Sequence, residues 1–182
     1  LPIFINNKNK KLRIATARAG NVIGGGDWSE DRLIPDCVKK WSKNKKVTLR
    51  NPGSTRPWQH VMEAINGYLS LAKKLKKSDK LNGESFNFSN DKIKNCSVLD
   101  FVKKMKKTWN TAKWSLNSNK KLFLESNLLQ LNNQKSYKVL NWQSKLNINQ
   151  TAKLTIEWYK NFYNKPKKIL TFDQIKFFKT LI

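Results

Sequence analysis

The chain has 182 residues, enough for one domain or part of one. Its apolar fraction is 38%, with seven Trp to help build a core, and no apolar run approaches the ~20 residues of a membrane-spanning helix. The net charge of +25 points first to nucleic acid. The excess, however, is Lys spread over the whole chain, without a zinc-finger, KH-type or RNP-like motif. Solvated helix faces explain pairs such as Lys73–Lys74 and Lys106–Lys107 better, so no nucleic-acid or membrane partner is expected.

Residues 1–5 are too short for the apolar region of a signal peptide. The first residue is Leu, not Met, so a piece of a longer protein is expected. Residues 12–18 alternate and read as a strand, followed by a loop over 19–31 that contains Gly24, Gly25 and Gly26. Residues 34–41 carry apolar side chains at helical spacing, with Pro35 suited to the first turn. Short strands are predicted over 46–50 and 58–61, separated by the turn Asn51-Pro52-Gly53-Ser54.

A helix follows over 63–76, with Ile65, Tyr68, Leu69, Leu71 and Ala72 expected toward the core. Residues 85–89 alternate as a strand. Ser97 caps a helix running to about Trp109. Residues 113–131 suggest two short extended pieces. Helices are expected over 133–140 and 150–163. Thr171 to Gln174 reads as a capping box for a last helix with Ile175, Phe177, Phe178 and Leu181 as its apolar residues. Alternating strands and helices without internal repeats indicate an α/β fold.

Two cysteines, Cys37 and Cys96, lie far apart, and His60 is the single histidine. No metal-ligand spacing exists, so neither a metal site nor a Cys nucleophile is expected, and a reducing cytoplasm is the simplest compartment. The glycine triplet follows a strand but opens no helix, since polar DWSEDRLIP comes next; a pyrophosphate fingerprint is rejected in favour of a loop closing over a ligand.

Arginine is the sharpest internal signal. Only five of 37 basic residues are Arg, and Arg18, Arg32, Arg50 and Arg56 share one window with five of the seven glycines. In a Lys-biased chain, Arg persists where a planar bidentate fork is needed, as for phosphate or carboxylate. The window reads as a diphosphate or similar anion site, with structural ion pairs as the alternative. Asn21, just past the strand end, either donates to a phosphate oxygen or braces the loop. Asp27 and Glu30 read as loop residues or partners of Arg32 rather than a catalytic pair, and His60 as a structural histidine.

These motifs resemble a known family. RAGNVIGGGDW (18–28), DRLIPD (31–36), RNPGSTRPWQHV (50–61), FNFS (86–89) and the L-N-W…EWY pattern (140–142, 157–159) are similar to the C-terminal half of sugar-nucleotide 4,6-dehydratases. These belong to the extended short-chain dehydrogenase/reductases. GGGDW and RPWQHV, with Pro57 where relatives carry Asp, resemble the branch acting on CDP-glucose.

The resemblance implies residues 1–182 as the C-terminal, substrate-binding portion: the last Rossmann strands and a small, mostly helical lobe. It implies NAD held by an absent N-terminal part, oxidation at C4 of the sugar, loss of water across C5 and C6, and return of hydride to C6. The product would be a 4-keto-6-deoxy sugar nucleotide that feeds deoxysugars for surface polysaccharide, made by a cytoplasmic homodimer. No catalytic residue is expected in this chain: Tyr68, Tyr137 and Tyr159 lack Lys four positions on, and Tyr163 with Lys167 lies beyond the matched region. By resemblance, Asn21 and Arg56 contact the diphosphate, Arg32 and Leu33 pack on the nucleotide, Arg50 lies near base or diphosphate, and Ala19 and Gly20 sit beside the nicotinamide. Residues 122–128 depart from the pattern, with Leu124 where relatives carry His or Arg.

Overall fold

The computed structural model describes residues 12–90, 96–116, 131–164 and 169–182; the expectations for residues 1–5 and 122–128 lie outside them. In chain order the elements are β1 (Thr16–Ala19), β2 (Asn21–Ile23), α1 (Leu33–Trp41), β3 (Val47–Leu49), β4 (Trp58–His60), α2 (Val61–Leu75), a 3-10 turn (Asp79–Leu81), β5 (Ser85–Phe88), α3 (Val98–Lys106), β6 (Trp114–Leu116), α4 (Gln134–Leu140), α5 (Ile148–Tyr163) and α6 (Thr171–Lys179).

The strands form three parallel pairs, β1 with β5, β2 with β4 and β3 with β6. Each pair is joined through helices, as parallel strands require. The α/β reading holds, with two adjustments near the glycines. The first strand is shorter than 12–18, because Ile14 bonds instead to the turn after the 3-10 segment: its N–H donates to Asn82 Oδ1 at 2.8 Å and its carbonyl accepts from Gly83 at 2.6 Å. Residues 21–23, expected in a loop, are a strand.

Gly20 is the switch between the two ladders. Its N–H donates to the Phe88 carbonyl on β5 at 3.2 Å, and the next N–H, of Asn21, donates to the Pro57 carbonyl at 2.9 Å. A Cβ at Gly20 would lie 2.4 Å from that same Pro57 oxygen, so only glycine lets the chain pass there.

The principal core joins α1, α3 and α5 around Ile23, Val38, Trp58, Phe101, Ile156 and Tyr159. Trp58 stacks on Phe101 with centroids 4.8 Å apart, and its indole N–H donates to the Cys96 carbonyl at 3.2 Å. Cys37 is fully buried here, and burial pushes its thiol up; burial likewise pushes Cys96 up to about 11. Neither is an activated nucleophile. Among the described residues no group of His, Cys, Asp and Glu could hold a metal ion, and no helix is long and apolar enough to cross a membrane.

Helix ends follow local chemistry. Ser97 Oγ accepts from the Asp100 N–H at 3.1 Å, and Asn147 with Gln150 forms a capping box that starts α5 two residues earlier than expected. Two expectations are corrected. The buried side of α2 is Met62, Glu63, Ala64, Gly67 and Leu71, while Ile65, Tyr68 and Leu69 are exposed. This helix carries apolar residues on two faces, and Gly67 selects one by letting Phe88 of β5 approach its backbone; a Cβ there would lie 2.3 Å from the Phe88 ring. The capping box at Thr171 is also absent: its hydroxyl accepts instead from the Trp158 indole N–H at 2.8 Å. Of the apolar residues expected in the last helix, Phe178 is buried with Leu181 packed beside it, while Ile175 and Phe177 are exposed.

Candidate functional site: an arginine-lined cleft

The end of β1, all of β2 and β3, the start of α1 and the start of β4 converge on one cleft of about 990 Å³. Ala19, Gly20, Asn21, Arg32, Leu33, Arg50 and Arg56 all line it, together with Asp27, Asp31 and Asp36. Residues from 19 to 56 are brought together because β2 and β4 pair in parallel, with Asn21 opposite Trp58. Arg18, the fourth arginine of the window, faces away: it is exposed on β1 opposite Asn87 and does not line the cleft.

Asn21 makes no side-chain hydrogen bond to another described residue, so its amide is held at the cleft by its backbone alone. Arg32 reaches Asp27 at 3.4 Å. Arg50 reaches Asp31 at 3.0 Å and, more distantly, Asp36 at 3.9 Å. Arg56 Nη1 donates to the Thr55 carbonyl at 2.8 Å. The ion-pair reading of the arginine cluster thus holds for Arg32 and Arg50, and all three arginines share one cleft. Burial raises the Asp27 carboxyl, but hydrogen bonds from Ser29 and the nearby Arg32 outweigh it and hold it below its ordinary value. For Asp36 burial prevails over the pull of Arg50, and with Asp31 adding to it the carboxyl stays raised.

The glycine loop owes its shape to α5. Gly25 packs directly on the Trp158 indole, and Gly26 adopts φ +85°. Trp28 is gripped by Tyr159, Phe162 and Tyr163, with centroids at 5.2, 5.0 and 6.0 Å. The Tyr159 hydroxyl donates to the Asp27 carbonyl at 2.6 Å. The loop is thus a rigid wall fixed from behind by aromatic rings.

His60 is structural. It is 2% exposed and caps α2, its Nδ1 accepting from the Met62 N–H at 3.3 Å. Burial lowers its pKa to about 4. The unfolded chain would take up a proton near pH 6.5 while the fold resists until about pH 4, so stability falls as pH drops across that window. The loss should reach about 3 kcal/mol at pH 4. Thermal melts from pH 7 to 4 should show this slope, and His60→Gln should flatten it.

Sequence reasoning missed Tyr68, which lines the cleft and packs edge-on against Phe88 at 5.6 Å rather than entering the core. It also missed the part played by Asp31 and Asp36, for which the sole signal was their closeness to Arg32 in DRLIPD.

No family model matches the chain. It is 36% identical over 157 residues to CDP-glucose 4,6-dehydratase of Salmonella typhimurium, spanning 85% of this chain and 43% of that protein. Its fold matches the crystal structure of UDP-glucuronic acid 4-epimerase from Bacillus cereus in complex with UDP-glucuronic acid and NAD. That match has a TM-score of 0.70 at 18% identity, over 86% of this chain and 48% of the other. A dTDP-glucose 4,6-dehydratase from Bacillus anthracis, in complex with NAD, matches with a TM-score of 0.61 at 18% identity, over 81% and 44%.

By sequence the chain is similar to a sugar-nucleotide dehydratase, and its fold is that of sugar-nucleotide epimerases and dehydratases. It covers a C-terminal portion of the extended short-chain dehydrogenase/reductase fold, somewhat under half the length of the curated relative. Within that fold the cleft lies just past the carboxyl end of β1, the side on which α/β sheets present their ligands, and runs along β2.

Proposed function

We propose that this chain is the substrate-binding portion of a CDP-glucose 4,6-dehydratase, residues 1–182 acting together with a cofactor-binding part. The observation that carries the reading is the meeting of Asn21, Arg32, Arg50 and Arg56 on one cleft beside the first turn of α1. Guanidinium forks and an amide donor at that spacing suit a nucleotide diphosphate. The 36% identity to a CDP-glucose 4,6-dehydratase supports the base and the sugar.

Asn21 and Arg56 would hold the diphosphate, Arg32 and Leu33 would pack on the nucleotide, and Arg50 would lie near the base or diphosphate. NAD would supply hydride transfer. Ala19 and Gly20 present nothing larger than a methyl to the cleft, which suits the approach of a flat nicotinamide ring. The product would be CDP-4-dehydro-6-deoxyglucose, destined for the deoxysugars of O-antigen lipopolysaccharide and made by a cytoplasmic homodimer. This chain by itself would not turn over substrate.

Isothermal titration with CDP-glucose and dTDP-glucose tests the reading, and tighter dTDP-glucose binding would overturn the CDP assignment. Arg56→Ala should cost about 2 kcal/mol of CDP-glucose affinity, the value of a hydrogen bond to a charged group; an unchanged affinity would remove Arg56 from the diphosphate site. Product mass separates dehydration from epimerisation in the assembled enzyme.

A further inference from the structure

The cleft holds its own anions. Arg32, Arg50 and Arg56 line it together with Asp27, Asp31 and Asp36, so these six formal charges cancel. The three carboxylates are not equivalent. Asp27 also accepts from the Ser29 N–H at 3.0 Å and is built into the loop. Asp36 sits in the first turn of α1 and is the more distant partner of Arg50. Asp31 is 83% exposed at its side chain, stands at the mouth of the cleft, and has the Arg50 guanidinium as its ion-pair partner at 3.0 Å. Its φ of +58° swings the residue out of the α1 entry, a conformation Asp and Asn adopt more readily than other side chains.

We propose that Asp31 sets the affinity of the cleft by occupying Arg50 in place of the ligand's phosphate. This rests on the reading of the cleft as a nucleotide diphosphate site. A ligand that uses Arg50 must exchange a carboxylate for a phosphoryl oxygen. An exposed Arg–Asp pair is weak, so the exchange is easy for a doubly charged diphosphate. The negative Asp31 then stays beside the bound ligand and repels it. Asp31 therefore lowers affinity for diphosphate ligands, substrate and product alike, and leaves recognition of the base untouched.

The test is titration of CDP and of cytidine into the wild-type chain, Asp31→Asn, Arg50→Gln and the double variant. Asn keeps the left-handed backbone and removes the charge. Asp31→Asn should bind CDP about two- to five-fold more tightly, an effect that shrinks at high salt. Cytidine should bind both forms equally. In the Arg50→Gln background the Asp31 substitution should have less effect, because the guanidinium it competes for is gone. Equal or weaker CDP binding by Asp31→Asn, with wild type binding CDP normally, would overturn the role of Asp31 and leave the diphosphate reading intact. A wild-type chain that binds neither CDP nor CDP-glucose would remove both.

Discussion

Glu63→Leu is expected to destabilise the protein by about 3 kcal/mol, because it strips the acceptor from two backbone donors in the interior. Glu63 is fully buried on α2, and its Oε1 accepts from the N–H groups of Lys145 at 2.7 Å and Leu146 at 2.6 Å. These residues belong to the turn that leads into α5. Leucine fills much of the volume and spares the burial of a polar group, but two N–H groups are then left without that partner, and the second effect is the larger. Glu63→Gln keeps one carbonyl oxygen and should recover most of the loss. Urea unfolding of the three proteins checks the order; a Glu63→Leu variant as stable as Glu63→Gln would show that the two hydrogen bonds contribute little.

Gly25→Ala is expected to cost a further amount of similar size, about 3 kcal/mol, through overpacking. An added Cβ would lie 2.0 Å from Cγ and 2.1 Å from Cδ2 of Trp158. The indole cannot retreat freely: it stacks on Phe162 at 5.6 Å and donates to Thr171 at 2.8 Å. The loop would move instead, carrying Asp27 and Arg32 away from the cleft, so CDP-glucose affinity should fall together with stability. Adding Trp158→Leu should make the pair of substitutions less costly than their sum, since the collision is between these two residues. Strict additivity in denaturant melts would show that the loop and α5 are not in contact.

The two variants show how the site is supported. α2 fixes the entry to α5, α5 fixes the glycine loop, and the loop supplies one wall of the cleft. The aromatic residues along this path are core residues by composition, yet their effect on the site runs through the backbone of Gly25 and Asp27.

Much of the cleft was legible in the sequence. Arginine retained against a lysine bias marked Arg32, Arg50 and Arg56, and all three line the cleft. The same signal included Arg18, which does not, since residue type says nothing of the face a strand presents. Helix positions were legible from apolar spacing and from the Ser97 cap, which acts over three residues, whereas the Asn147 cap that starts α5 at Ile148 went unread. The strand at 21–23 was not legible, because NVI has no alternation to read and owes its state to Trp58–His60, more than thirty residues on. The buried face of α2 was misread for a related reason: both of its sides carry apolar residues, and the choice between them depends on Phe88.

By itself, the sequence determined the α/β class, most helices and the small set of side chains able to hold an anion. These follow from periodicity, capping and the chemistry of the guanidinium group, all of them local. The tertiary structure alone decided that Gly20 passes the chain from one ladder to the next, that Trp158 claims the Thr171 hydroxyl, and that Arg50 pairs with Asp31. Those outcomes depend on distances between residues far apart in the chain, which only the packing of β2 on β4 and of α5 behind the loop establishes.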